Sequence, residues 1–353
     1  MRDPNYTWAR KKLMKENDII KVGVIGASGF TGEVLMGLLF EHPFVEVLAV
    51  SSRRLLDKKV STVFPNLSKN SSISFSSPEN RTFNKCDVIF LCTPHGISMS
   101  LAEKFLSRKV KVIDLSADFR IKDLEVWEKW YNAEHSSPDL LKEAVYGLPE
   151  LFGEDIKKAN LISVPGCYPT VSLLSIIPSL DLEEEVKSII IDAKSGMTGA
   201  GRSSVNDHLL NEMQDNFRVY GENGHRHYPE IKQIVDSLNK KKVEISFTAQ
   251  LLPIMRGIYA TTYIDFKDSP PLDIHKIYRD YYNSSKNVLV GEKVPDLIEV
   301  VNTNSCKIFI QQTSIPTQIQ ITACIDNLLK GAAGQAVECF NLIFSFEQNT
   351  GLN

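Results

Sequence analysis

Four short, nearly continuous apolar runs mark the first half of the chain, at residues 21–25, 45–50, 87–92 and 110–115. Stretches of helical character lie between or after them, at 31–41, 97–108 and 124–135. A strand that is apolar at every position is covered on both faces, and intervening helices supply the crossovers of a parallel sheet. The pattern predicts a doubly wound α/β domain. After about residue 165 the rhythm changes. Longer runs at 188–193, 243–250, 257–266 and 317–325 are widely spaced, with helical segments at 169–180 and 230–238. Several alternate at period two, as in Gln318-Ile319-Gln320-Ile321-Thr322-Ala323, which leaves one face less buried. These runs predict a second, α+β domain on a mixed, mostly antiparallel sheet. A last helix over 328–346 carries Gly331 and Gly334 in an Ala-rich stretch, which lets it pack closely against another element.

Composition narrows the classes without naming one. The 353 residues suit about two domains. With 40 basic against 43 acidic residues the net charge is −3, without the basic surplus that phosphate neutralisation needs, so no nucleic-acid partner is expected. No apolar run approaches the ~18 residues of a membrane span, so no membrane partner is expected either. The first 20 residues lack the apolar core of a signal peptide, and Asp3, Glu16 and Asp18 fit a transit peptide poorly. Six cysteines without C-x-x-C pairing point to a reduced, cytoplasmic protein with no metal site.

Directly after the first strand comes Gly26-Ala27-Ser28-Gly29-Phe30-Thr31-Gly32, running into a helix. Glycines there permit a tight turn and let backbone N–H groups approach a pyrophosphate at a helix N-terminus. The spacing is G-x-x-G-x-x-G, and the strand–turn–helix context makes it a dinucleotide-binding candidate of Rossmann type. An NAD-binding unit places an acid at the end of the second strand. This chain has Ser51-Ser52-Arg53-Arg54 instead, and hydroxyls with guanidinium groups suit the 2′-phosphate of NADP(H). Thr93 and Pro94, in Cys92-Thr93-Pro94-His95-Gly96, follow a later strand and are candidates to line the same coenzyme site, with His95 as a loop residue rather than a base.

One cysteine stands apart. Cys167 lies in Pro165-Gly166-Cys167-Tyr168-Pro169-Thr170, at the start of an apolar helix, where the helix dipole is expected to lower the thiol pKa. A cysteine nucleophile needs a proton-transfer partner, and His225 and His227 in Gly224-His225-Arg226-His227-Tyr228-Pro229-Glu230 are the candidates, with Glu230 to orient the ring. Arg120, Arg202 and Arg256 each close a strand-end or Gly-rich turn and are candidates for an anionic substrate, or for structural ion pairs.

Together these stretches resemble the N-acetyl-γ-glutamyl-phosphate reductase family of arginine biosynthesis. The likeness rests on GASGFTG (26–32), LSADFR (115–120), VYGLPEL (145–151), PGCYPT (165–170), DAKSGMTGAGR (192–202), HRHYPE (225–230), LLPIMRG (251–257) and DNLLKGAAGQAV (326–337). It implies NADPH-dependent reduction of an acyl phosphate to an aldehyde by a homo-oligomer, dimer or tetramer. It implies a nucleotide-binding domain of residues 20–165 and 328–353, and a catalytic and oligomerisation domain of 166–327 after an extension of 1–19. Carried over, Cys167 is the nucleophile, His227 the acid/base and Glu230 its support, with His225 the second candidate histidine. Ser195, Gly196 and Asn327 are expected at the coenzyme. Glu222-Asn223-Gly224 departs from the basic residue expected before the first histidine. The aminoadipyl reductases of lysine synthesis, with a substrate one methylene longer, are the neighbouring alternative. A methylene is worth only ~1–3 kcal/mol of discrimination. Aspartate-semialdehyde dehydrogenases share the chemistry but fit HRHYPE and DNLLKGAAGQAV poorly. A non-catalytic NADP(H) sensor would have no need of the cysteine, histidines and arginines together.

Overall fold

A computed structural model of the chain describes residues 19–70, 72–221, 224–239 and 241–352; the extension up to residue 18 and Glu222-Asn223 lie outside the described residues. The chain divides into two compact units. The first comprises the residues up to Phe119, His135–Val164 and those from Ala336 onward; the second comprises Arg120–Glu134 and Pro165–Gln335.

The first unit holds a seven-stranded sheet of β1 (Ile20–Ile25), β2 (Val45–Ser51), β3 (Phe75–Ser76), β4 (Val88–Leu91), β5 (Lys111–Asp114), β6 (Val145–Tyr146) and β7 (Leu161–Ser163). Their order is β3-β2-β1-β4-β5-β7-β6, and every pairing is parallel. The strands are mostly apolar because both faces are covered: Val22, Val24, Val50, Val88, Ile89, Phe90, Leu91, Val112 and Ile113 are fully buried. The order reverses at β1/β4, the crevice where ligands bind in such sheets. Helix α1 (Phe30–Glu41) follows β1, and α2 (Ser98–Leu106) follows β4. β6 and β7, with two and three residues, are too short to show a period and were not expected. The helix expected over 124–135 stops at Tyr131, because Asn132 takes a left-handed conformation at φ 49°.

The second unit is built on β8 (Val186–Ser195), β9 (Arg218–Tyr220), β10 (Glu244–Leu251), β11 (Ile258–Phe266), β12 (Val288–Val290), β13 (Cys306–Gln312) and β14 (Gln318–Ile325). In the order β12-β13-β14-β11-β8-β10-β9, four pairings are antiparallel and two parallel. The mixed, mostly antiparallel sheet follows from the alternation. In β13 Cys306, Ile308 and Ile310 point inward while Gln311 and Gln312 are exposed. Helix α3 (Cys167–Leu180) is buried from Tyr168 to Leu180, as a helix that is apolar all round must be. It begins two residues before the helix the sequence predicts, and α4 (His227–Leu238) begins three residues before.

The single helix expected over 328–346 is two pieces, a π-helical turn at Leu329–Ala333 and α5 (Gly334–Ile343). The Asp326 carboxylate starts the turn by accepting the N–H groups of Leu328 and Leu329 at 2.8 and 3.1 Å. Glycine is required inside it: a Cβ on Gly331 would lie 2.9 Å from Cys167 Cβ, and one on Gly334 would lie 2.0 Å from Asn304 Oδ1. Among the described residues no helix is long and apolar enough to cross a membrane.

Candidate active site

In the first unit, each glycine of the β1–α1 turn has a separate physical task. Gly26 sits at φ +82°, and a Cβ there would lie 2.4 Å from Cys92 O, so only glycine makes the turn. Gly32 lets α1 lie against the backbone of the turn, since a Cβ would be 2.7 Å from Ala27 Cα. A Cβ on Gly29 would meet nothing within 4 Å. The turn is therefore open on the side where a ligand would approach, and no side chain caps the helix beginning at Phe30 and Thr31. The leading N–H groups of a helix point out of its N-terminus, which is the donor set a pyrophosphate takes. The residues present fit a dinucleotide.

At the end of β2, Ser51 and Ser52 are buried, and Ser52 Oγ donates to Ser28 Oγ at 3.0 Å. Ser51 Oγ is buried with no hydrogen-bond partner. Arg53 and Arg54 are exposed in the following turn, with Arg53 3.9 Å from Glu79. Beyond β4, Thr93 Oγ1 hydrogen-bonds Ser98 Oγ at 2.8 Å, while Pro94 and His95 are exposed. This loop is held by Asp118, which carries no role in the motif reading. Asp118 accepts the N–H groups of Gly96 and Met99 at 2.7 and 3.1 Å, capping α2. The signal for it was position, just beyond the carboxyl end of β5.

The second unit gathers the nucleophile candidate and its neighbours. Gly166 caps α3 and Cys167 opens it. The His227 ring lies over this turn: a Cβ on Gly166 would be 2.4 Å from His227 Nε2. Burial holds His227 well below its ordinary pKa, with the charges of Arg120 and Arg226 adding to the effect, so the ring is neutral at pH 7. Its Nδ1 is buried with no hydrogen-bond partner. The His225 ring lies tilted against it at 4.7 Å between ring centres, and burial pushes its pKa down to about 4.

Two expectations change here. The helix terminus does not acidify the thiol on balance: burial pushes Cys167 up to about 11, against the lowering effects of Arg120 and the amides of Tyr168 and Cys167. A protonated thiol at neutral pH needs a base, and a neutral histidine is one. Glu230 is not simply an orienting group for that ring. Fully buried, it accepts the Gly166 N–H through Oε1 at 2.8 Å and faces Arg120 through Oε2 at 3.8 Å. It therefore fixes the nucleophile's turn and sets Arg120 beside it.

The other candidates form a second group in the same unit. Ser195 is buried and donates to Gly196 O, and a Cβ on Gly196 would lie 2.7 Å from the Met255 backbone. The segment 196–198 is zipped to 254–257 by Gly196 N to Gly257 O, Met197 N to Ile254 O and Thr198 N to Met255 O, at 2.8–3.1 Å. Asn327 locks this pair of loops, accepting the Gly257 N–H at 2.7 Å and donating to Thr198 Oγ1 at 2.9 Å. Arg256 is held by Asp326 at 2.9 Å and Asn302 Oδ1 at 2.8 Å, whereas Arg202 is exposed. Asp326 is a second residue the sequence reading passed over. It organises Arg256, Asn302 and the π turn that brings Gly331 against Cys167.

Residues 21–159 match the family model described as semialdehyde dehydrogenase, NAD binding domain, and 167–327 match semialdehyde dehydrogenase, dimerisation domain. A relative from Thiobacillus denitrificans, named N-acetyl-gamma-glutamyl-phosphate reductase, is 42% identical over 338 residues, covering 95% of this chain and 98% of its own. One of the same name from Cellvibrio japonicus is 38% identical over 342 residues, with coverages of 95% and 98%. Among solved structures, aspartate semialdehyde dehydrogenase II of Vibrio cholerae complexed with ASA aligns at TM-score 0.72 and 17% identity, covering 93% of this chain and 98% of that one. Aspartate semialdehyde dehydrogenase of Candida albicans with NADP aligns at 0.69 and 14% identity, covering 93% and 99%. At such identities the structural likeness speaks to the fold alone.

Proposed function

The chain belongs to the N-acetyl-γ-glutamyl-phosphate reductase family of semialdehyde dehydrogenases, and we propose on that footing that it reduces N-acetyl-γ-glutamyl phosphate with NADPH to N-acetylglutamate 5-semialdehyde and inorganic phosphate, a step of arginine biosynthesis. The observation that carries the reading is Cys167 at the start of α3 with the neutral His227 ring over its turn.

His227 takes the Cys167 proton, and the thiolate sulfur attacks the γ-carbonyl carbon. The tetrahedral adduct expels phosphate, which picks up a proton from water, and leaves a thioester on Cys167. Arg120, held by Glu230, stabilises negative charge at the sulfur. The Gly26–Gly32 turn would hold NADPH, which would supply the hydride that reduces the thioester carbon. His227 then gives its proton to the alkoxide and takes it back as the C–S bond breaks, releasing the aldehyde and the Cys167 thiolate, to which the His227 proton passes to restore the thiol.

The exposed Arg53 and Arg54, with Ser51 and Ser52 in place of an acid, support NADP(H) over NAD(H). Gly196, Ser195 and Asn327 shape the loop pair on which the nicotinamide and substrate would rest, with Arg202 the substrate-anion contact and Arg256 its structural neighbour. Self-association through the second unit is supported by its match to a dimerisation domain and by exposed apolar residues on its sheet, such as Ile190. A cytoplasmic site of action suits a catalytic thiol. The test is phosphate-dependent reduction of NADP+ by N-acetylglutamate 5-semialdehyde, run beside NAD+ and beside the homologue one methylene longer. Turnover is expected with NADP+ and the shorter aldehyde. Folded protein that binds NADP+ and gives no phosphate-dependent turnover would favour the sensor instead.

A further inference from the structure

The two histidines of His225-Arg226-His227 are chemically alike, and the structure gives them different surroundings. His227 N–H donates to His225 Nδ1 at 3.1 Å, and Tyr228 N–H donates to His225 O at 2.8 Å. These are the first two amides of α4, donors with no acceptor inside the helix. Arg226, at the cap position, supplies no side-chain acceptor, so His225 does so from one residue outside. An imidazole nitrogen that accepts an N–H carries no proton, so the neutral His225 ring must hold its proton on Nε2.

The ring is also fixed from three sides. Tyr168, Tyr220 and Phe247 meet it at 5.4, 5.4 and 5.5 Å between centres. Tyr220 OH donates to Tyr168 OH and Tyr168 OH to Gln250 O, both at 3.0 Å, which anchors two of those rings. His227 has the opposite situation. Its Nδ1 is uncommitted, and its Nε2 lies over the turn that carries Cys167.

We propose that His225 is a positioning residue, locked in the Nε2–H tautomer, whose Nδ1 fixes the start of α4 and so aims the His227 ring at the nucleophile's turn. His227 alone exchanges protons with Cys167. The inference deepens the reading above and rests on its assignment of Cys167 and His227, and two of its readouts do not need the reaction.

The test compares His225→Asn, whose Oδ1 can stand where Nδ1 does, with His225→Gln, whose longer side chain mimics Nε2, and with His227→Asn. Each is assayed for turnover and for the rate of Cys167 alkylation by iodoacetamide at pH 7. His225→Asn should stay within about tenfold of wild type in both, His225→Gln should fall further, and His227→Asn should lose about a hundredfold or more, the scale of general acid–base catalysis. Nitrogen-15 NMR of histidine-labelled wild-type protein should show the His225 ring with Nδ1 unprotonated at pH 7, whether or not any variant folds. A protonated Nδ1, or His225→Asn as impaired as His227→Asn, overturns the proposal. So does His225→Gln outperforming His225→Asn. If wild type fails to turn over the acyl phosphate, the NMR and alkylation still decide the role of His225.

Discussion

Replacing Glu230 by glutamine separates stability from thiol reactivity, with opposite signs. The side chain is fully buried, and its two oxygens serve different partners. The glutamine oxygen can keep the Gly166 N–H bond, now 2.8 Å, at a loss of about 1 kcal/mol as a charge-assisted bond becomes a neutral one. The charge facing Arg120 at 3.8 Å cannot be kept. At an effective dielectric constant of about 20 that attraction is about 4 kcal/mol. The Arg120 side chain is only 11% exposed, so water replaces little of it. The expected destabilisation is about 3–5 kcal/mol, the range for breaking a buried pair from one side. The thiol moves the other way: Arg120 lowers the Cys167 pKa and Glu230 raises it, so removing the acid leaves the guanidinium unopposed. Urea unfolding reads the first effect, and iodoacetamide alkylation of Cys167 against pH reads the second, with its midpoint moved to lower pH. The double variant Glu230→Gln, Arg120→Met should regain most of the stability and lose the shift. A Glu230→Gln midpoint that stays put or rises would refute the argument.

Four further outcomes follow from particular sites. Gly26→Ala should cost more than about 2 kcal/mol, because a Cβ meets the Cys92 carbonyl at 2.4 Å from a left-handed backbone. Gly29→Ala, whose Cβ meets nothing within 4 Å, should unfold within about 0.5 kcal/mol of wild type yet bind NADPH more weakly by fluorescence titration. Gly331→Ala should displace Cys167 and lower kcat while NADPH binding persists, since its Cβ would lie 2.9 Å from Cys167 Cβ; unchanged turnover would contradict this. Burial and the nearby Asp118 charge push the Asp114 carboxyl up to about 7. From about pH 4 to 7 the unfolded chain has released that proton and the folded one keeps it, so stability falls as pH rises, by about 4 kcal/mol. Asp114→Asn should remove this part of the slope in urea unfolding measured across pH.

Much of this was legible in the sequence because it depends on local pattern. The parallel sheet is readable in runs such as 87–92, and the coenzyme turn in glycines whose spacing follows backbone geometry. Cys167 stood out by its place before a helix. What depends on three-dimensional burial was not legible. The helix terminus argued for an acidic thiol, but the cost of desolvation exceeds the dipole and Arg120 together. Glu230 sits one helical turn after His227 and reads as its partner, yet its acceptor goes to Gly166, 64 residues earlier in the chain. Asp326 and Asn327 are joined to residues 198, 256 and 257 by hydrogen bonds no spacing rule reveals. The π turn interrupts a helical pattern for a packing reason, the approach of Gly331 to Cys167.

The central claim is that Cys167 carries the acyl group as a thioester. Protein mixed with N-acetyl-γ-glutamyl phosphate in the absence of NADPH, acid-quenched within seconds and digested, tests it most directly by mass spectrometry. The account predicts one phosphate released per site and an N-acetylglutamyl adduct on the peptide bearing Cys167, lost on adding NADPH and absent in Cys167→Ser. Full turnover by Cys167→Ser, or a wild-type enzyme that turns over with no adduct on that peptide, would contradict it.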